Sequence, residues 1–250
     1  MFNIFKKKKK IIERKEPNLS AREPGEVLQN AIDAKKDDDP IITLKIGASD
    51  LKTKFLELSK DEKGVHIETA LGVLGALAGN YCLISGVAIQ EASAGKAGNI
   101  QRIGAKDGKT YYVGELINRP LLTDQLSVWG LVGGIAQQLG AKQLPDIKEI
   151  VEYTAKTIGN SNFGEPRIDE KHKLRKHPIK LIQEYHPVLI NIITQHTQNP
   201  VEFPILLGLT IQQLISDGKD VIDPSISAKI VMECAVPMSK LESSGMLQIS

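Results

Sequence analysis

The residues best suited to chemistry in this chain follow its strongest hairpin signal, within the segment TYYVGELINRP. Two phenol rings, a carboxylate, an amide and a guanidinium stand close together there. This mixture suits either the rim of a small-molecule pocket or a hot spot in a protein interface. The structural alternative is that the aromatic residues lie on a strand and cover a helical core. We predict a ligand-binding site formed by Tyr111, Tyr112, Glu115, Asn118 and Arg119.

Glu68 joins this predicted site because it lies at the start of a long apolar run. In a functional role it would act as a general base or as a ligand-binding group. The alternative is a carboxylate that only interacts favourably with the positive end of a helix dipole. His66 and Glu68 would point about 200° apart on a helix, so they share a site only if the first turn is irregular.

Metal and cofactor chemistry has no motif in this sequence. The five histidines do not form the HExxH spacing that places two zinc ligands on one helical face. The serine motif GxSxG and the phosphate-binding loop GxxxxGK[ST] are also missing. Cys82 and Cys234 lie in apolar segments, which predicts free buried thiols in a reducing compartment. We therefore predict neither a metal site nor a cofactor.

A basic cluster, RIDEKHKLRKHPIK, occupies residues 167–180. It could bind an anion such as a phosphate group or an acidic partner, and the residues we assign to that role are Arg167, Lys173, Arg175 and Lys176. The alternative is a solvated charged face. The cluster has no interleaved aromatic residues for base stacking, and the net charge of the chain is only +2, so no specific signal for nucleic acid exists.

The N-terminus reads MFNIFKKKKK and lacks the apolar core and cleavage site of a secretory signal. Five lysines next to three apolar residues favour a weak attraction to an anionic membrane surface, at about 1 kcal/mol per lysine. The alternative is a solvated, disordered tail. The lysines concerned are Lys6, Lys7, Lys8, Lys9 and Lys10. We expect a cytoplasmic protein.

The element that must position these residues is an uncharged run, Thr69–Gln90, whose glycines share one helical face. Each glycine inside a helix costs about 1 kcal/mol relative to alanine, so close approach by another backbone or a ligand must compensate. The run predicts the core helix of a soluble domain; a transmembrane helix and a ligand groove are the alternatives. The glycines are Gly72, Gly75, Gly79 and Gly86.

A second segment, Ser127–Gly140, also places glycines on one face: Gly130, Gly133 and Gly134. We expect the two glycine faces to pack against each other at a short distance between helix axes. Gly75 or Gly133 replaced by leucine would then overpack this contact.

The rest of the chain predicts mainly helices and one hairpin. Asp107-Gly108 is a typical hairpin turn, flanked by residues that favour strands. His-Pro and Asp-Pro pairs favour helix starts with proline in the first turn. We predict a strand over 41–46, a hairpin over 99–114, and helices over 25–35, 49–60, 69–90, 120–139, 145–158, 203–216 and 224–236, with further helices starting at His177-Pro178 and His186-Pro187.

These elements predict an α+β fold that is mostly α-helical, with a small β-hairpin packed on a helical core. A doubly wound α/β fold is disfavoured because strands do not alternate with helices. We divide the chain into a basic tail over 1–24, a single compact domain over 25–239 and a C-terminal tail over 240–250.

The leading functional hypothesis is a non-catalytic binding or protein-interaction domain, with a homodimer as one form of interaction. The alternative is an enzyme whose small-molecule site joins the hairpin exit to the N-terminal end of the glycine-faced helix. That site requires Glu68 to approach Arg119 within about 15 Å, which one small ligand can bridge. A third hypothesis is peripheral membrane association through the basic N-terminus.

Overall fold

The computed structural model describes residues 39–245. The predictions for the basic tail, for the helix over 25–35 and for the membrane-binding lysines lie outside these residues. The chain divides after Pro40, and almost all of the described residues belong to the unit that begins at Ile41.

Helices dominate the order of elements, and two short antiparallel hairpins interrupt them. A π-helical turn, Arg119–Thr123, follows the third helix. In chain order the elements are α1 (Ile42–Ser59), β1 (Lys60–Asp61), β2 (Gly64–Val65), α2 (Ile67–Ala92), β3 (Gln101–Gly104), β4 (Thr110–Val113), α3 (Glu115–Asn118), α4 (Val128–Gln138), α5 (Ile147–Thr157), α6 (Pro178–His196), α7 (Phe203–Gly218) and α8 (Pro224–Met238).

The predicted core helix is confirmed as α2, which is buried without interruption from Ala70 to Gly86. It packs mainly against α8 and α7, with α6 and α3 on its other sides. Among the described residues it is the one helix long and apolar enough to cross a bilayer, but 83% of its most apolar window is buried inside the protein. Such burial is typical of a core helix, and it makes the membrane signal weak.

The glycines of α2 allow a neighbouring backbone to approach closely, as expected. A Cβ on Gly75 would lie 2.7 Å from the carbonyl oxygen of Val231, and one on Gly79 would overlap the carbonyl group of Ala235. Both neighbours belong to α8. The glycine face therefore fixes the distance between the two helices that contact each other most.

The prediction that the glycine face of α2 packs against the second glycine segment was wrong. The second glycine segment forms α4, which packs against α7 and α8. Gly130 and Gly134 are exposed, and a Cβ on Gly134 would meet nothing within 4 Å. Gly133 faces Trp129 of its own helix. The two glycine faces therefore do not meet.

Three further predictions are corrected. The β-branched segment Ile41–Ile46 is not a strand, because it starts α1 and buries Leu44 in the helical core. The helix predicted over 120–139 is interrupted between the π-helical turn and α4, where Ser127 caps the new helix. His186-Pro187 does not begin a helix, because Pro187 lies inside α6.

The predicted hairpin is confirmed: β3 pairs antiparallel with β4. The C-terminal segment pairs with β4. The amide of Tyr112 donates to the carbonyl oxygen of Lys240, and Tyr111 forms an isolated antiparallel β-bridge with Leu241. Asn80 of α2 donates a further hydrogen bond to the carbonyl oxygen of Leu241. Lys240 and Leu241, which the sequence analysis assigned to the C-terminal tail, are thus buried between sheet and core. The result is an α+β fold that is mostly α-helical.

Candidate functional site

The two tyrosines after the hairpin turn are core residues. Tyr111 and Tyr112 are almost fully buried, which fits the structural interpretation of the strand aromatics. The Tyr111 hydroxyl donates to Asp107, and its ring packs edge-on against Phe163. Burial and the hydrogen bond to Asp107 raise the pKa of Tyr111 to about 12. Tyr111 is therefore held as a neutral phenol in the core.

The three polar residues that follow have separate environments. Glu115 is exposed at the start of α3. Asn118 accepts a hydrogen bond from the ammonium group of Lys240 at 2.9 Å. Arg119 pairs with Asp124 at 3.2 Å on the surface. These side chains do not converge on one ligand position.

Glu68 takes part in a small polar cluster at the N-terminal end of α2. His172 donates to its carboxylate at 3.0 Å, and Nε2 of His66 lies 3.6 Å from its other oxygen. Burial opposes ionisation of Glu68, but the bond from His172 and the nearby His66 outweigh it and lower its pKa. His66 and Glu68 therefore do approach each other, because His66 is the N-cap, outside the regular helix, and accepts from the amide of Thr69.

The structure does not bring Glu68 together with Arg119. Arg119 lines a cavity with Ser85 and Ile89, at the far end of α2. Ser85 lies 17 residues beyond Glu68 on this helix, which corresponds to about 25 Å at 1.5 Å per residue. One small ligand cannot bridge that span, so the joint site required by the enzyme hypothesis does not form.

All four cations of the predicted anion site are paired with carboxylates. Because exposed pairs contribute little and exchange readily, they do not by themselves prevent an anion from binding. The pairs are Arg167 with Glu149 and Glu233, Lys173 with Glu170, Arg175 with Asp61 and Lys176 with Glu184.

Arg167 has a structural role within this set. Its guanidinium bonds both oxygens of the buried Glu233 and lies 4.0 Å above the ring of Tyr153. Burial raises the pKa of Glu233, although the bonds from Arg167 act against this shift. Arg167 thus attaches the loop before α6 to α8, and its charge is balanced by carboxylates of the protein itself.

Arg175 and Lys176, by contrast, line a cleft of about 280 Å³ between the end of α1, the start of α2 and the start of α6. We call it the basic cleft. Its floor is apolar and buried, and consists of Ala70, Val73 and Leu181. Its rim carries charged side chains that are about half exposed. A concave site with an apolar floor and a few polar rim groups is the usual form of a small-molecule site.

Lys60 gives the basic cleft its excess positive charge. It lines the cleft and has no carboxylate partner among the described residues. Arg175 and Lys176 are balanced by Asp61 and Glu184, so the lining side chains carry a formal net charge of about +1 with His66 neutral. The cleft therefore matches a ligand with one negative charge.

Sequence reasoning missed Lys60 and Tyr185, which complete the cleft. Lys60 lies in the ordinary charged turn SKDEKG, and nothing local marks it as different from Lys63. Tyr185 reaches the cleft because its ring packs edge-on against Phe55 of α1. These residues come together only where the end of α1, the start of α2 and the start of α6 meet.

The remaining candidates for chemistry are structural in the described part of the chain. Cys82 and Cys234 are free and buried, as predicted, and burial raises the pKa of both thiols. Between residues 39 and 245, no group of three or more histidine, cysteine or acidic side chains has the geometry to hold a metal ion. The chain matches no protein-family model, no curated protein and no solved structure.

Proposed function

We propose that this protein is a non-catalytic binding protein whose ligand is a small molecule with one anionic group and an apolar body. The basic cleft is the site. The single observation that carries the proposal is the position of Lys60, which lines the cleft beside a buried apolar floor and has no carboxylate partner within residues 39–245.

The charges of the rim set the class of ligand. An anion at the mouth of the cleft can pair with Lys60 directly. It can also bind Arg175 alongside Asp61, because the exposed ion pair of Arg175 and Asp61 contributes less than about 1 kcal/mol. A carboxylate or a phosphate monoester supplies the acceptor oxygens that such cations bind. The volume of about 280 Å³ limits the apolar part to a short chain or a single ring.

Binding is favoured over catalysis by the partners of the polar groups at the cleft. The Nδ1 atom of His66 accepts the amide of Thr69 as a helix cap, so it is not free to act as a base. The hydroxyl of Ser59 has no hydrogen-bond partner among the described residues, and therefore no base activates it as a nucleophile. The cleft offers recognition groups without an assembled nucleophile and base.

The test is calorimetric titration of the protein with hexanoate and, as the neutral comparison, 1-hexanol. We expect hexanoate to bind more tightly than 1-hexanol and its affinity to fall as salt screens the rim charges. Lys60→Glu should weaken hexanoate by about tenfold, because reversal of a charge near 4 Å in a water-exposed site changes the energy by about 2 kcal/mol at most.

Lys63→Glu is the matched control, since Lys63 lies in the same turn but does not line the cleft. It should change hexanoate affinity much less than Lys60→Glu. Equal effects of the two variants would show that only the general surface charge matters. Equal affinity of hexanoate and 1-hexanol would exclude anion recognition.

A further inference from the structure

We infer a second, independent ligand site in the cavity at the far end of α2, which takes a small apolar ring that carries one hydrogen-bonding group. This apolar cavity has a volume of about 160 Å³. It lies about 25 Å along α2 from the cluster around Glu68, so it shares no residue with the basic cleft.

Ser85 marks the place where a polar group of the ligand would bind. The residue lines the apolar cavity and is fully buried, and its hydroxyl oxygen has no hydrogen-bond partner among the described residues. Buried hydroxyls in proteins normally have such a partner. A ligand hydroxyl placed against Ser85 would supply it.

The rest of the wall is largely apolar. Ile89 of α2, Leu116 of α3, Leu126 of the connection before α4 and Ile205 of α7 all line it. A cavity of about 150 Å³ with such a lining is large enough to hold benzene. The size and the lining together therefore select a single ring rather than a chain or a larger molecule.

A π-helical turn contributes to the wall of the cavity. Arg119 and Pro120 line the cavity within this turn, and Asp124, which immediately follows the turn, also lines it and pairs with Arg119. π-helical turns are rare and occur often at functional sites.

Phenol and toluene are suitable probes because they have the same shape and differ only in the hydroxyl that Ser85 would bind. Both should bind the wild-type protein, with amide shifts in NMR confined to residues that line the apolar cavity. Ser85→Ala should weaken phenol by about tenfold and leave toluene unchanged, since only phenol loses a hydrogen bond. Ile89→Phe should abolish binding of both probes by filling the cavity.

Two controls separate this site from the basic cleft. Ser59→Ala removes another hydroxyl that has no partner among the described residues, one that lines the basic cleft, and it should not change phenol affinity. Lys60→Glu should not change it either, so the two sites can fail independently. Equal loss of phenol and toluene in Ser85→Ala, or undiminished binding in Ile89→Phe, would overturn the inference, as would a wild-type protein that binds neither probe.

Discussion

Gly79 and Gly134 both lie inside helices but have opposite surroundings. Gly79 is buried, and a Cβ there would overlap the carbonyl group of Ala235 in α8. Gly134 is exposed, with open space where its Cβ would be. Gly79→Ala should therefore destabilise the protein by about 3 kcal/mol through overpacking. Gly134→Ala should stabilise it by about 1 kcal/mol through its helix propensity.

Urea denaturation of the two variants at one pH measures this difference directly. Both variants add the same single methyl group to a helix, so the sign of the effect depends only on the surroundings. A stabilised Gly79→Ala protein would mean that α2 and α8 do not contact each other at Gly79 and Ala235.

The sequence could predict the close approach at Gly75 and Gly79 but not which helix makes it. The glycine spacing requires some backbone to lie there, and we expected the other glycine segment. The partner, α8, contains no glycine and presents Val231 and Ala235 instead. Two helices can approach closely when only one of them has glycines at the contact. The sequence of the other helix therefore needs no glycine pattern that would identify it as the partner.

At the scale of elements, Arg167 connects three of them. It lies in the loop before α6 and pairs with Glu149 of α5 and with the buried Glu233 of α8. Arg167→Met should destabilise the protein by about 3–5 kcal/mol at pH 7, because it leaves an uncompensated buried carboxylate. Lys173→Met removes an exposed pair of the same loop and should cost less than about 1 kcal/mol.

The loss in Arg167→Met should depend on pH in a defined direction. Burial raises the pKa of Glu233 in the folded protein above its ordinary value of 4.5, so the folded state binds more protons than the unfolded state just above that value. Loss of Arg167 raises this pKa further. The deficit of the variant should therefore shrink as the pH is lowered from 7 to 5, as measured by urea denaturation at each pH. A deficit that grows toward pH 5 would contradict this role of Glu233.

Elements were predictable where periodicity and capping agreed. Asp223 caps α8 and His177 caps α6, at the positions their Asp-Pro and His-Pro pairs indicate. The strand expected at Ile41–Ile46 failed because tertiary packing of α1 on α7 and α6 outweighs the strand preference of β-branched residues. Pro187 misled for a similar reason, since α6 continues through it with the buried His186 before it and the buried Leu189 after it.

At the scale of the whole molecule, the candidate site was only half predictable. The sequence named Arg175 and Lys176 because they lie in one dense basic segment. It could not add Lys60 or Tyr185, which are distant in sequence and reach the basic cleft only when α1, α2 and α6 meet. It also placed Glu68 with Arg119, because the residue pattern does not show that Arg119 packs near the opposite end of α2 from Glu68.

The buried C-terminal segment makes the stability of the whole molecule depend on pH. Lys240 closes the contact between the sheet and the core, and its ammonium group donates to Asn118. Burial lowers the pKa of Lys240 from 10.5 to about 8. Between these two pH values the unfolded chain binds the proton that the folded protein has lost, so stability should rise with pH.

The expected gain from this group between pH 8 and pH 10.5 is about 3 kcal/mol, since each unit of pKa difference is worth about 1.4 kcal/mol. Lys240→Met should lose this gain, whereas Lys148→Met, at an exposed position on α5, should follow the wild-type curve. Denaturation by urea across this pH range gives both differences, and the ionisation of tyrosines cancels between the proteins compared. Parallel curves for wild type and Lys240→Met would mean that the ammonium group reaches water, and that the C-terminal segment does not seal the sheet against the helices.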